Sequence, residues 1–254
     1  MKSFIFTNLI FILSAIVISV TAQSPKPSTD GAVTLFNQAT KLYETGKYGE
    51  AIEAFKKYIR LKPDDATAYN NLGAAYNANG SYSEATANFK EALHLRPNYA
   101  QAHRNLGNAY YHLGRKQEAV EEFKQAIRLK ADYGLAYSDL GITLSELNRH
   151  QEAFSALEQA IRIIPQNAVA FNNLGCAYLQ TKQYKKAVKA FKQAVSLNPN
   201  FEDAHFNLAT AYLASNDRNS TLKQYFRLKT LNPRLASNLY KLLYRDKIVS
   251  ISER

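Results

Sequence analysis

The sequence predicts an all-α chain built as a solenoid of stacked antiparallel helix hairpins, and three observations predict it. The first is a step of 34 residues. Pro63, Pro97, Pro165, Pro199 and Pro233 keep that step, and Ala131 stands where one proline is missing. The second is that other columns hold the same register. Gly73, Gly107, Gly141 and Gly175 form one, with Ala39 and Ala209 at its ends. Ala51, Ala85, Ala119, Ala153 and Ala187 form another, closed by Thr221. A third runs Phe55, Phe89, Phe123, Leu157, Phe191 and Tyr225. The third observation is the spacing inside a cycle. Tyr69, Leu72, Gly73 and Tyr76 recur at three, four and seven residues, which places them on one face of a helix. Self-similarity at a period of this length is the mark of stacked supersecondary units.

The elements follow in order. Residues 1–22 read as a secretory signal: a short basic start at Lys2, an apolar stretch from Phe4 to Val20, and the small-residue run Val20-Thr21-Ala22. Cleavage is expected near Ala22, which makes the mature protein exported, periplasmic or secreted. The alternative is an uncleaved membrane anchor, although the apolar stretch falls short of the roughly 20 residues that span a bilayer comfortably. With no cysteine directly after that site, a lipid anchor is not expected. Residues 23–31, polar and broken by Pro25 and Pro27, read as a flexible leader. Six repeats then occupy 32–65, 66–99, 100–133, 134–167, 168–201 and 202–235.

One cycle shows how the rest work. In 66–99 the first helix carries Tyr69, Leu72, Gly73 and Tyr76 inward, and Asn79-Gly80 ends it, since both tolerate a left-handed C-cap. The second helix turns Tyr82, Ala85, Phe89, Ala92 and Leu93 inward. Arg96-Pro97 breaks it, because the residue before proline is driven out of helical angles. The glycine column is expected to face the alanines for close approach, with the aromatic columns filling the space between layers. No hairpin can cover its own apolar face, so stability needs neighbours. Residues 236–254 are expected to supply a capping helix over Ala236 to Lys247, with Leu239, Leu242 and Leu243 inward. Leu243 stands in the glycine column and blocks a further hairpin.

The motif Tyr69-Asn-Asn-Leu72-Gly73-x-x-Tyr76, with Ala85, Phe89, Ala92 and Pro97 behind it, resembles the tetratricopeptide repeat. The resemblance covers 32–235. It departs at Gln38 and Tyr58 in the first cycle, Thr221 and Leu228 in the last, and at His103 and His205 in the Tyr69 column. It implies a right-handed superhelix whose first helices line a concave groove that binds extended peptides.

The positions left over on the first helices give the groove candidates. Asn37, Asn71, Asn105, Asp139, Asn173 and Asn207 form a column that could meet a peptide backbone, since an amide both donates and accepts. The same amides could instead tie one helix to the next. Asp139 interrupts the ladder, with Arg104 or a partner's amine as its counter-charge. Asn70, Asn77, Arg104, Asn108, Tyr111, Asn172 and Cys176 are the neighbouring candidates. A carboxylate clamp is excluded, because Asp139, Val169 and Asn173 stand where amide and cations are needed.

The formal charge is +11, and it is uneven: residues 182–254 hold 14 Lys or Arg against 5 Asp or Glu. Lys185, Lys189 and Lys192 share a face of a second helix, on the outer side. That face either attracts an anionic envelope surface, lipid or polysaccharide, or is a solvated exterior. Nucleic acid is not expected as a partner. His94, His103, His112, His150 and His205 lack metal-ligand spacing, so no metal is expected. Cys176, the only cysteine, reads as packing rather than a nucleophile. No nucleophile motif, carboxylate pair or phosphate loop is present, so neither catalysis, a cofactor nor a small-molecule substrate is expected. The expected function is a non-enzymatic scaffold binding an extended peptide segment of another protein.

Overall fold

The computed structural model describes residues 29–244. The expected signal segment, most of the leader and the end of the tail lie outside the described residues. Thirteen helices and no strand occur among those described. They run α1 (Thr29–Glu44), α2 (Tyr48–Leu61), α3 (Ala66–Ala78), α4 (Tyr82–Leu95), α5 (Ala100–His112), α6 (Lys116–Leu129) and α7 (Gly134–Glu146). After these come α8 (His150–Ile163), α9 (Ala168–Gln180), α10 (Tyr184–Leu197), α11 (Glu202–Ala214), α12 (Arg218–Leu231) and α13 (Pro233–Leu243). Odd and even helices pair as six hairpins, and each hairpin packs on the next. None of the described helices is long and apolar enough to cross a membrane.

The turns inside the hairpins share one construction. Gly46, Gly80, Gly114, Asn148, Lys182 and Asn216, one per repeat, all sit at positive φ. Gly80 donates its N–H to the Asn77 carbonyl at 3.1 Å, and Ser81 donates to the Tyr76 carbonyl at 2.9 Å. Carbonyls that the ending helix leaves unpaired are satisfied this way.

The glycine column packs differently from the expectation. A Cβ on Gly73 would lie 2.7 Å from the ring of Phe89, and one on Gly107 would lie 2.7 Å from Phe123. Glycine therefore faces the aromatic column of the second helix, not the alanines. Without a side chain at that point, the ring packs directly against the glycine. Phe55, Phe89, Phe123, Leu157 and Phe191 are all at most 1% exposed. Burying a side chain of this size contributes roughly 1.5–3 kcal/mol. The alanines at 51, 85, 119, 153 and 187 are fully buried and let neighbouring helices approach.

The C-terminal cap also differs. Pro233 does not merely end the sixth repeat; it opens α13. The Asn232 side chain accepts from the N–H groups of Arg234 and Leu235, and proline occupies the first turn, where no N–H is missed. Ala236, Leu239 and Leu243 face inward and close the core of the last hairpin. The stripe therefore includes Leu239 and Leu243, while Leu242 is 42% exposed.

Candidate concave groove and its interlayer seam

The amide column lies along the first helices, as the spacing requires. Asn37 is exposed, and Asn71, Asn105, Asp139, Asn173 and Asn207 are half-buried. The amides do not simply face an open trough. Asn105 donates to Oδ1 of Asn70 at 2.9 Å, and Asn207 donates to Oδ1 of Asn172 at 3.0 Å. Asn173 reaches Oγ of Ser138 at 3.4 Å. At the junction of the third and fourth repeats the polarity is reversed, and Nε of Arg104 donates to Asp139 at 2.6 Å. Each bond joins residues 35 apart, one more than the repeat.

A second row lies two turns further along the same helical face. The Tyr111 hydroxyl donates to Glu146 at 2.6 Å, and Ser145 donates to Oε1 of Gln180 at 2.6 Å. Lys116 approaches the same Glu146 at 3.0 Å. The concave face is thus a stitched seam. Asn70 and Asn172, read from the sequence as groove candidates, are 1% and 8% exposed. They are partners in that seam rather than lining, because the neighbouring layer covers them.

The seam leaves capacity behind. A primary amide has two N–H donors and two acceptor lone pairs. Asn105 and Asn173 each direct one N–H to the preceding layer, so the second N–H and the carbonyl stand on a half-exposed side chain. Asn71 accepts from Asn70 at 3.2 Å. It also lines a pocket of about 200 Å³ with Thr40, Tyr43, Glu44, Phe55 and Ala74, at the junction of the first two repeats. Arg104 and Asp139 neutralise one another, and Asn108 adds a hydrogen bond to the carboxylate. Burial pushes the Asp139 carboxyl above its ordinary value; Arg104 and Asn108 pull it down without fully offsetting that. Burial and Glu146 push the Tyr111 hydroxyl well up.

Two lining residues escape the column reading. Leu135 and Val169, one turn before Asp139 and Asn173, are 43% and 51% exposed. In the fourth and fifth repeats the amide row is therefore flanked by adjacent apolar side chains. The signal was their apolar character, shared with Val33, at a position that holds Thr67, Gln101 and Asp203 in the other layers.

The remaining candidates are placed as follows. Lys185, Lys189 and Lys192 are all exposed on α10. Lys192 lies 5.9 Å from the ring centroid of Tyr212 in the next layer, and Lys189 borders a cavity with Lys186. Burial pushes the Cys176 thiol up to about 11, which removes thiolate character at neutral pH. His103 faces Glu122 at 2.6 Å and the Pro97 carbonyl at 3.2 Å, and His205 faces Gln224 and the Pro199 carbonyl. These rings brace the inter-repeat turns against the second helices.

Stacked hairpins with glycine-on-aromatic packing and a stitched inner row define a tetratricopeptide-repeat solenoid, a fold whose members are typically non-enzymatic scaffolds for protein–protein interaction. The chain belongs to the family described as the cilia and flagella-associated protein 70 C-terminal domain, whose model matches residues 18–234. Comparison of the sequence with curated proteins finds no match. Among solved structures, the anaphase-promoting-complex hetero-tetramer Cut9–Hcn1 is similar with a TM-score of 0.76 and 22% identity. The likeness covers 87% of this chain and 43% of that one, so this chain spans under half of its length. PilW, described as a type IV pilus biogenesis factor, gives a TM-score of 0.76 at 18% identity, over 85% of this chain and 100% of that one. YrrB, described as a TPR protein with an unusual peptide-binding site, gives 0.55 at 24%, over 75% and 99%. At these identities the likeness concerns the fold.

Proposed function

We propose that this protein is a scaffold that holds an extended segment of a partner protein along its concave row, in a compartment reached by export. One observation carries the reading. Asn105 and Asn173 each keep an N–H and a carbonyl beyond those used in the seam, and Asn71 keeps its N–H donors, in a row that Asp139 interrupts. Such a row meets backbone groups of a peptide without selecting side chains. Leu135 and Val169 then offer one apolar contact site, and the 200 Å³ pocket beside Asn71 offers another. YrrB, described as a TPR protein with an unusual peptide-binding site, has a similar fold, which is consistent with this use. Export rests on residues 1–22 alone, and N-terminal sequencing of the mature protein tests it.

The groove is tested by selecting peptides from a random library on the intact mature protein. Ala74→Arg places a long cation in the concave pocket, and Leu135→Asp charges the apolar flank of the amide row. Neither removes an amide of the seam. Selected peptides should lose binding to both variants and keep it with Lys185→Ala. Peptides indifferent to both groove substitutions would refute the reading.

A second reading concerns the outer face, where α10 carries Lys185, Lys186, Lys189 and Lys192 and no acidic residue. Attraction of that helix to anionic lipid or polysaccharide would fall steeply with salt. Sedimentation with phosphatidylglycerol vesicles across a salt series distinguishes it from groove binding.

A further inference from the structure

Most layers close on their outer side with the same cover. Lys56, Lys90 and Lys192 hold one column of the second helices, and each lies over a tyrosine of the next layer: Tyr76 at 5.6 Å, Tyr110 at 5.7 Å and Tyr212 at 5.9 Å. A second column adds bulk beneath, with Asn88, Glu122 and Gln224 in the second, third and sixth repeats. At the junction of the fourth and fifth repeats both columns lose their cover, and Lys186 of the same layer lies over the tyrosine instead. Glu158 stands in the lysine column, and Ala190 stands in the bulky one.

The consequence is an open slot. A cavity of about 330 Å³ is lined by Phe171, Leu174, Tyr178, Lys186, Lys189, Ala190 and Gln193. The same seven positions, four repeats earlier, line the open edge of the first repeat, which has no preceding hairpin among the described residues. The fifth repeat thus opens on this side at the same positions as the terminal one, although the preceding layer keeps Leu174 buried. A polar extension of about 370 Å³ continues from Tyr178 and Lys186 to Gln151, Ser155 and Glu158 on α8. Phe154 stacks on Tyr178 at 4.8 Å between centroids and forms part of the floor.

We propose that this outer slot is a second protein-binding site, distinct from the concave row, that takes an apolar or aromatic side chain flanked by carboxylates in an extended partner segment. The floor is aromatic and aliphatic, and Lys186 and Lys189 stand on one wall. Lys186 lies 5.4 Å from the Tyr178 ring centroid, placed to meet an anion above that floor. The other wall carries Gln151, Ser155 and Glu158, groups that accept backbone N–H bonds. That carboxylate wall favours a peptide over a membrane, since a sheet of anionic headgroups would meet Glu158 as well as the lysines. An extended chain can present acids to one wall and amide groups to the other.

Glu158→Lys is the decisive variant, because it restores the missing cover while making the region more basic. The probe is a fluorescein-labelled Glu-Asp-Phe-Asp-Glu peptide, with Lys-Arg-Phe-Arg-Lys as control, titrated against the full mature chain by anisotropy. Saturable binding of the acidic peptide is expected, weakened about tenfold or more by Glu158→Lys and similarly by Lys186→Glu with Lys189→Glu. Amide shifts in NMR should centre on Phe154, Tyr178 and Lys186 and spare Asn71 and Asn105. Circular dichroism on each variant confirms that the helices persist. Binding that strengthens with Glu158→Lys would show mere attraction to lysines and overturn the proposal. So would shifts centred on the concave amides, the absence of saturable binding, or phosphatidylglycerol vesicles binding wild type and Glu158→Lys alike.

Discussion

The junction of repeats two and three and the junction of repeats four and five are built from the same columns, and they differ at a few of them. In the first, Phe89 covers Gly73, Lys90 covers Tyr110, and Asn105 donates to the buried Asn70. In the second, Leu157 replaces the aromatic residue, Glu158 replaces the lysine, and an outer slot opens. The inner seam holds across both, since Asn173 still reaches Ser138. A repeat protein is close to one-dimensional, each layer touching only its neighbours, so one layer can depart without unmaking the rest. The difference teaches where close packing between layers is not needed to hold the rod together. The consensus positions build the rod, and the departures from them leave the surfaces on which the proposed outer site rests.

The largest expected effect probes the tight region. Phe123→Ala removes a fully buried ring and should cost about 3–5 kcal/mol in urea denaturation. Leu157→Ala should cost less, because the neighbouring slot lets side chains relax into the space. The reverse order would break the comparison. Next comes Gly107→Ala. The new methyl would meet Phe123 at 2.7 Å, and overpacking of this kind costs about 1–3 kcal/mol. An unchanged midpoint would mean that the ring yields, and that the glycine column is there for another reason.

The rod was legible in the sequence because periodic contacts repeat as periodic letters. Pro63, Gly73, Ala85 and Phe89 each recur often enough to announce their step. The partner of each glycine was less legible: the helical wheel places Gly73 near both Ala85 and Phe89, and only coordinates separate the two. The seam was hidden for a different reason. Its bonds join residues 35 apart and connect two adjacent columns, so neither column shows the pairing by itself. Asn70 and Asn71 look alike as letters, yet one is buried under the next layer and the other lines a pocket. The outer slot was hidden because it arises from two missing covers, Glu158 and Ala190, and a gap leaves no motif.

A smaller effect sharpens the contrast between the two halves. The first three hairpin turns place glycine at positive φ, whereas the last three use Asn148, Lys182 and Asn216. A left-handed conformation costs a residue with a side chain about 1–2 kcal/mol, and asparagine tolerates it better than lysine. Lys182→Gly should therefore stabilise the fifth hairpin, by about 1 kcal/mol once the greater freedom of glycine in the unfolded chain is allowed for. Thermal denaturation measures it, and Gly80→Lys should shift the midpoint the opposite way.

The subtlest expected effect is a change in pH slope at the one layer where a carboxylate replaces the ladder amide. Burial holds the Asp139 carboxyl above its ordinary value despite Arg104 at 2.6 Å. In the window above the unfolded carboxylate range, the folded chain then keeps a proton that the unfolded chain has released. Stability attributable to this group falls as pH rises through that window, because the unfolded state binds fewer protons there. Asp139→Asn removes the titration and should flatten that part of the profile relative to wild type. If Arg104 instead dominates burial, the sign reverses: wild type would gain stability over Asp139→Asn as the pH rises from the acid side. Urea midpoints of the two proteins across mildly acidic pH decide between these, and with them whether the Arg104–Asp139 bond is a fastening of the seam or a strained point in it.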